Sequence, residues 1–390
     1  MALGKPLYDR NGRVLLAAGV PLNARFIEAL QARGYTSVYV RDGLADDVAP
    51  ADLISEEVRM VASSHLEALF TIVTKVSEHG EPRKPSSWPG ETWRVIESLY
   101  RDVEDILDEV FASEAFDGMA AVKSHDSYTY EHSVETTVVG VMLGKRLGLQ
   151  REDLRQLGLG CLLHDIGKRG VPTEVLNKPG PLTSQELAQV KEHPRIGFEL
   201  IKSLDLDSPV PQHIAWQHHE KQDGTGYPRG LHGTNRVVRS IADLGVPGRI
   251  MLLAELAAVA DVFSALASDR PFRPALPPEE VARTLRALAG SHLNREVVDA
   301  FFRVVPTFPM GLRVVLNGAP FDGWRGVVVA VHPSQLHRPV VRLLQDSAGR
   351  EVPHAEIDLR RYPDVSLSSE RIDSEAGSAP PRTVWDPLRA

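Results

Sequence analysis

Residues 161–170 read CLLHDIGKRG, and the role given to His164 and Asp165 at the end of this apolar run decides what must surround it. Neighbouring positions on an α-helix project about 100° apart, so a single ion is hard for both side chains to face. A pair of ions suits them better, with the imidazole on one and a carboxylate bridging both. The other reading is a hydrogen-bonded polar pair buried in a helix, and the stretch alone does not separate the two.

Residues further along the chain change that balance. His132 sits in an upstream helical pattern (YEHSVETTVVGVML), His193 opens another (KEHPRIGFEL), and His218-His219 close a third just before a glycine-rich turn. Asp261 falls inside AELAAVADVFSALAS, where an unpaired carboxylate is costly to bury and a metal relieves that cost. Five histidines and two aspartates on separate predicted helices are what a dinuclear nitrogen–oxygen site in a helical bundle requires.

The rest of the chain frames that bundle. Residues 1–45 read as a small ββαβ unit, with KPLYD and RVLLAAG flanking Asn11-Gly12, the helix FIEALQAR and the strand YTSVYV. Residues 46–115 carry two helices separated by GEPRKPSSWPG, the second with Val103, Ile106, Leu107, Val110 and Phe111 at helical period. These helices are expected to pack on each other or to pair two subunits of a homodimer. Residues 116–303 are almost wholly helical, 304–367 are short β-rich runs suggesting a barrel-like appendage, and 368–390 read as a disordered tail. The fold class is therefore mainly α, a helical bundle with a small β-containing unit at each end.

Composition excludes several function classes. Lys plus Arg number 44 against 52 Asp plus Glu, a net charge of −8, which argues against broad binding to nucleic-acid polymers or anionic membranes. An anionic substrate must meet a local positive patch. The single cysteine, Cys161, rules out an intrachain disulfide and a CxxC zinc site. The start, MALGKPLYDRNGR, lacks the apolar core of a signal peptide, and the most apolar run is interrupted by Glu255 and Asp261. Membrane insertion is not expected, and the expected location is the cytoplasm.

HDIGK, then His193, HHEKQDGTGYP and ADVFSALASDRPFR together resemble the HD-GYP family, a branch of the HD phosphohydrolases, over about 122–275. The resemblance implies a helical bundle holding iron or manganese and hydrolysing the second messenger cyclic di-GMP to pGpG and onward to GMP. It assigns His132, His164, Asp165, His193, His218, His219 and Asp261 as ligands of two divalent ions. Lys168 and Arg270 would touch substrate phosphate and, with Asp165, form the catalytic group; Tyr227 and Gly226 of the GYP loop would lie at the nucleotide. Members with a three-metal type carry a glutamate one turn before the first histidine, where this chain has Tyr128, so two metals are expected. The stretch between GYP and Asp261 is longer than the family pattern, suggesting a lid or a reshaped substrate mouth.

The chemistry follows from the residue types. Two ions about 3.5–4 Å apart hold a hydroxide at neutral pH and clamp a phosphodiester for in-line attack. Lys168, one turn after His164, supplies a point charge, and Arg270 engages two phosphate oxygens. Glu220 reads either as a partner orienting an imidazole or as a solvated surface residue. His125-Asp126 lacks the apolar run and the following glycine-lysine and is expected in a loop or helix start. His213, His232 and His292 read as core or surface residues, Cys161 as a small buried one, and Glu255 has no assigned role. Two alternatives remain: an HD hydrolase of another cyclic nucleotide, and a non-catalytic module that binds cyclic di-GMP and signals through partners such as diguanylate cyclases.

Overall fold

The computed structural model describes the chain except residues 9–13, 33–37, 39, 42, 44–46, 49–51, 78–83, 114–127, 179, 239–246, 269–274, 354 and 371–390. At the N-terminus lie β1 (Ala2–Leu3), β2 (Leu7–Tyr8), β3 (Val14–Leu16), α1 (Ala24–Ala32) and β4 (Val40–Arg41). β2 pairs with β3 as the expected hairpin, and its Asn11-Gly12 turn falls outside the described residues. The two-residue β1 is too short to leave an alternating pattern. It pairs with β4, and Leu3, Leu7 and Leu30 fill the small core.

α2 (Glu56–Ser77) and α3 (Gly90–Ala112) each bury one stripe, because their apolar residues recur three and four positions apart. Leu66, Leu69 and Val73 of α2 and Leu99, Val103, Ile106 and Leu107 of α3 are buried, each side chain of this kind contributing about 1.5–3 kcal/mol when fully covered. The stripes meet each other and also α4 (Tyr128–Arg146) and α5 (Arg151–Leu163). One apolar cluster runs from Ile54 to Val305, so α2 and α3 pack on each other, the first of the two expected arrangements, and are at the same time walls of the bundle. Phe111, expected on the stripe, is 44% exposed, with Lys145 Nζ 4.8 Å from its ring centroid.

After α5 come a 3-10 turn (Ile166–Gly170), α6 (Thr173–Leu176), α7 (Ser184–Val190), α8 (His193–Ser203) and α9 (Val210–Gln217), then α10 (Leu252–Ala267), α11 (Pro278–Leu288) and α12 (Arg295–Phe301). Thr183 and Glu186 form a capping box that starts α7. α10 is apolar on every side, as a helix enclosed by others must be. It contacts α4, α5, α9, α11 and α12 and is the axis on which the site is built.

The C-terminal segment folds as β5 (Arg313–Asn317), β6 (Arg325–His332), β7 (Gln335–Gln345), β8 (Glu356–Asp358) and β9 (Ser366–Ser369). They form one antiparallel sheet in the order β8-β7-β6-β5-β9, over a core that includes Val314, Leu316, Val328 and Val341. β9 runs to Ser369, past the expected start of the tail at 368; the expected disorder falls on residues outside those described. The Arg342 guanidinium reaches Asp47 at 2.7 and 2.8 Å and Glu356 at 2.8 Å, joining the sheet to the segment before α2. Among the described residues no helix is long and apolar enough to cross a membrane.

Candidate metal centre

The seven expected ligands come from the ends of four helices and the middle of a fifth. His132 lies in the second turn of α4, His164 directly follows α5, Asp165 leads into the 3-10 turn, His193 opens α8, His218 and His219 follow α9, and Asp261 sits within α10. All seven are buried, the most accessible being His219 at 8%. Their donor atoms form three triads, each within a 4.8 Å span: His132, His164 and Asp165; His164, His218 and Asp261; His193, His218 and His219. Because His164 and His218 are each shared by two triads, the three merge into one cluster.

Hydrogen bonds set which nitrogen each ring presents. His164 Nδ1 faces the Cys161 carbonyl at 2.6 Å, His193 Nδ1 the Val190 carbonyl at 2.7 Å, and His218 Nδ1 the Ala215 carbonyl at 2.9 Å. A carbonyl only accepts, so Nδ1 carries the proton in each ring and Nε2 is left with its lone pair toward the centre. Those lone pairs crowd one another: His193 Nε2 and His218 Nε2 are 3.2 Å apart, and Asp165 Oδ1 is 3.5 Å from the first and 3.9 Å from the second. On the other side His132 Nε2 meets Asp261 Oδ1 at 3.0 Å, and His164 Nε2 lies 3.8 Å from that oxygen. His132 is held by its own chain of contacts, Nδ1 to Ser264 Oγ at 2.9 Å and that hydroxyl to Glu135 Oε2 at 2.7 Å.

The residues fit a divalent cation. His164 Nε2, Asp165 Oδ1 and His219 Nε2 are buried with no hydrogen-bond partner, a costly state for polar atoms unless something else satisfies them. Burial lowers the His193 pKa to about 3 and that of His218 to about 4, and drives His219 well below the usual imidazole value, so these rings are neutral as ligands must be. Burial alone would raise both aspartates. For Asp165 the charges of His164 and Lys168 win, and for Asp261 the His132 hydrogen bond and His164 charge win, holding both carboxyls below their usual range. His164 is pushed up by Asp165 against the effect of its own burial, and the negative potential responsible equally favours a metal cation.

Three further elements close on the cluster. Lys168, on the 3-10 turn, places Nζ 2.6 Å from Asp165 Oδ2, its side chain still 17% exposed. Tyr227 stacks on His219, with ring centroids 4.8 Å apart and 18° between planes, and Lys191 Nζ lies 5.4 Å from the tyrosine ring centroid. The loop that carries Tyr227 needs its glycines: Gly224 has φ +81°, and a Cβ on Gly226 would lie 2.3 Å from the Lys221 amide nitrogen. Gly226 thus packs against the main chain of its own loop. Glu220 matches neither expectation made for it: its buried carboxylate accepts the Arg229 N–H at 2.7 Å and the Leu231 N–H at 2.8 Å, tying the loop's two arms together. Arg270 and the His125-Asp126 pair lie outside the described residues, as does the Tyr128 side chain.

Residues 117–297 match the family described as HD domain. All seven clustered donors lie within the segment that this HD domain model matches. Around it the chain is 34% identical over 263 residues to a cyclic di-GMP phosphodiesterase of Pseudomonas aeruginosa, covering 66% of this chain and 59% of that protein. It is 37% identical over 184 residues to the cyclic di-GMP phosphodiesterase response regulator RpfG of Xanthomonas campestris, covering 47% of this chain and 45% of that one. A 3'3'-cGAMP-specific phosphodiesterase of Vibrio cholerae is 34% identical over 183 residues, covering 47% of this chain and 39% of that protein. The chain thus spans about half the length of the curated relatives it matches.

Sequence reasoning passed over two residues that support the HD site. Ser264 and Glu135 fix His132, and each lies three positions after a residue of the cluster, Asp261 and His132, on the same helix face. A polar residue three places after a buried ligand on an apolar helix was the available signal.

Proposed function

We propose that this chain is a metal-dependent phosphodiesterase that hydrolyses cyclic di-GMP to pGpG, and further to GMP, at two ions of iron or manganese. The observation that carries the reading is the convergence of seven buried donors, with the Nε2 lone pairs of three histidines turned inward by the main-chain carbonyl three residues before each. His132, His164, Asp165, His193, His218, His219 and Asp261 would hold the ions. When bound, a divalent pair supplies a nucleophile at neutral pH and neutralises charge on the phosphate.

The protein's own groups do the rest. Lys168 reaches solvent while anchored on Asp165, so its ammonium stands at the mouth of the cluster and attracts a phosphate oxygen as a point charge. Arg270 is proposed as the second phosphate contact. Tyr227 keeps His219 in orientation by stacking and presents the edge of the GYP loop to a guanosine. Ser264 and Glu135 hold the His132 ring against rotation.

Names of relatives support the substrate class, and they split it between cyclic di-GMP and 3'3'-cGAMP. The test is turnover of both dinucleotides by protein purified without oxygen, with bound metal quantified on the same sample. Hydrolysis of cyclic di-GMP is the expected result. Turnover of 3'3'-cGAMP alone would move the substrate and keep the chemistry, and a metal-loaded protein that binds a dinucleotide without hydrolysing it would overturn the enzymatic reading.

A further inference from the structure

Glu255 is a carboxylate on the otherwise apolar α10, 3% exposed and six residues before Asp261. The site described above makes no use of it. Its Oε1 accepts from Gln222 Nε2 at 3.0 Å and its Oε2 from Asn294 Nδ2 at 2.8 Å. Gln222 lies three residues after His219, at the root of the GYP loop, and Asn294 is the residue that caps α12.

Neither amide is free to turn over. Gln222 Oε1 accepts the Asn235 N–H at 2.9 Å, and Asn294 Oδ1 accepts the N–H groups of Glu296 at 3.0 Å and Val297 at 3.3 Å. Each oxygen is engaged by a main-chain donor, so each NH₂ must point at residue 255. The two donors are aimed at the two different oxygens of one side chain and so require an acceptor at both positions, which glutamate provides and glutamine does not. The network then spreads. Gln222 exchanges main-chain hydrogen bonds with His292 and Gly233, and Asn235 donates from Nδ2 to the Gly290 carbonyl at 2.9 Å and accepts the Arg295 N–H at 2.9 Å. Through Gln222 and Asn294, one carboxylate registers the start and the return of the GYP loop and the turn between α11 and α12 against the helix that carries Asp261.

We propose that Glu255 is a positioning residue that sets the GYP loop relative to the metal-bearing helix, and hence the fit of the substrate nucleotide. The kinetic part of this proposal rests on the phosphodiesterase reading; the loop geometry does not. The test compares Glu255→Gln, Gln222→Glu and the exchange variant carrying both. In Glu255→Gln an NH₂ faces an NH₂, and in Gln222→Glu two carboxylates face each other. In the exchange variant the amide placed at position 255 would donate to the carboxylate placed at position 222 and accept from Asn294, restoring every hydrogen bond at unchanged total charge.

Hydrogen–deuterium exchange over 220–238 reads loop position without activity, and it should speed up in each single variant and return to the wild-type rate in the exchange variant. For the working enzyme, Glu255→Gln should raise KM for the dinucleotide about tenfold, equivalent to about 1.4 kcal/mol. Its kcat should stay within about twofold and its bound metal should not change, a split that general loss of folded protein does not produce. Wild-type exchange in Glu255→Gln would overturn the proposal. So would an exchange variant no better than the singles, which also decides the matter if a single variant fails to fold. Altered exchange with no dinucleotide turnover in the wild type would tell against the phosphodiesterase reading while leaving the loop-positioning role supported.

Discussion

Replacing Gly167 with alanine would strike the candidate metal centre without touching any of its seven donor residues. Gly167 sits in the 3-10 turn between Asp165 and Lys168, against the first turn of α8. A Cβ there would lie 2.0 Å from the His193 carbonyl oxygen and 2.5 Å from the Gly197 amide nitrogen, whereas real Cβ atoms essentially never come within 3.0 Å. Both neighbours are main chain, so the turn must retreat from α8 by at least 1.0 Å, the difference between 3.0 and 2.0 Å. Asp165 Oδ1 and His193 Nε2, now 3.5 Å apart, stand on opposite sides of that gap. Metal–ligand distances tolerate only about 0.2 Å, so a shift several times larger takes at least one donor out of reach. The overpacking itself costs about 1–3 kcal/mol, too little to unfold most proteins of this size. Elemental analysis of Gly167→Ala should therefore show bound metal at about half the wild-type level or less, with far-UV circular dichroism retained. A variant with full metal and wild-type turnover would refute the claim that the turn and α8 are held in register by close main-chain packing.

His164→Ala and Asp165→Ala should each abolish metal binding and hydrolysis while keeping the helical spectrum, because the apolar helix contacts remain; near-wild-type activity in either would count against the site. Lys168→Ala should reduce turnover about a hundredfold with metal content unchanged, since its proposed partner is phosphate, and an equal loss of metal would assign it a structural role. Glu220→Ala leaves the Arg229 and Leu231 amides without their acceptor at about 1–3 kcal/mol each; the expected outcome is a lower melting temperature and a raised KM, and an unchanged KM would detach the loop from substrate binding. Glu186 is held at a pKa of about 2 by the Lys178 ammonium and the Thr183 N–H. A folded-state value below the unfolded one gives stability that is present above about pH 4.5 and lost as pH falls toward about 2. Amide exchange in α7 should therefore accelerate on acidification through this window, relative to Glu186→Gln at each pH.

The seven clustered donors were legible because they lie within or at the ends of apolar helices, where an unsatisfied polar group is costly, so His164 or Asp261 stands out against its own neighbours. The DGTGYP turn was legible for the same local reason, since its glycines and proline have few other uses in such density. What the sequence could not disclose is partnership at a distance. Glu255 meets residues 33 and 39 positions away, and nothing near it in the chain names Gln222 or Asn294. Glu220 was read beside the histidines it follows, whereas its acceptor oxygens serve amides 9 and 11 residues ahead. The apolar stripes of α2 and α3 declared that they would be covered, but periodicity carries no address, and the cover turned out to be the bundle itself.

That shared core separates two borders that are easily taken for one. The segment matching the HD family begins at residue 117, whereas the continuous apolar interior begins at Ile54. α3 packs on α5, the helix that His164 directly follows, and α2 packs on α4, the helix that carries His132, with Phe70 and Tyr130 in edge-to-face contact at 5.3 Å. A fragment cut at the family border would strip one wall from both of these helices and leave their oily backs in water. The segment that the family model matches is therefore smaller than the apolar core that encloses it, and α2 and α3, which lie before that segment, belong to the scaffold of the candidate site.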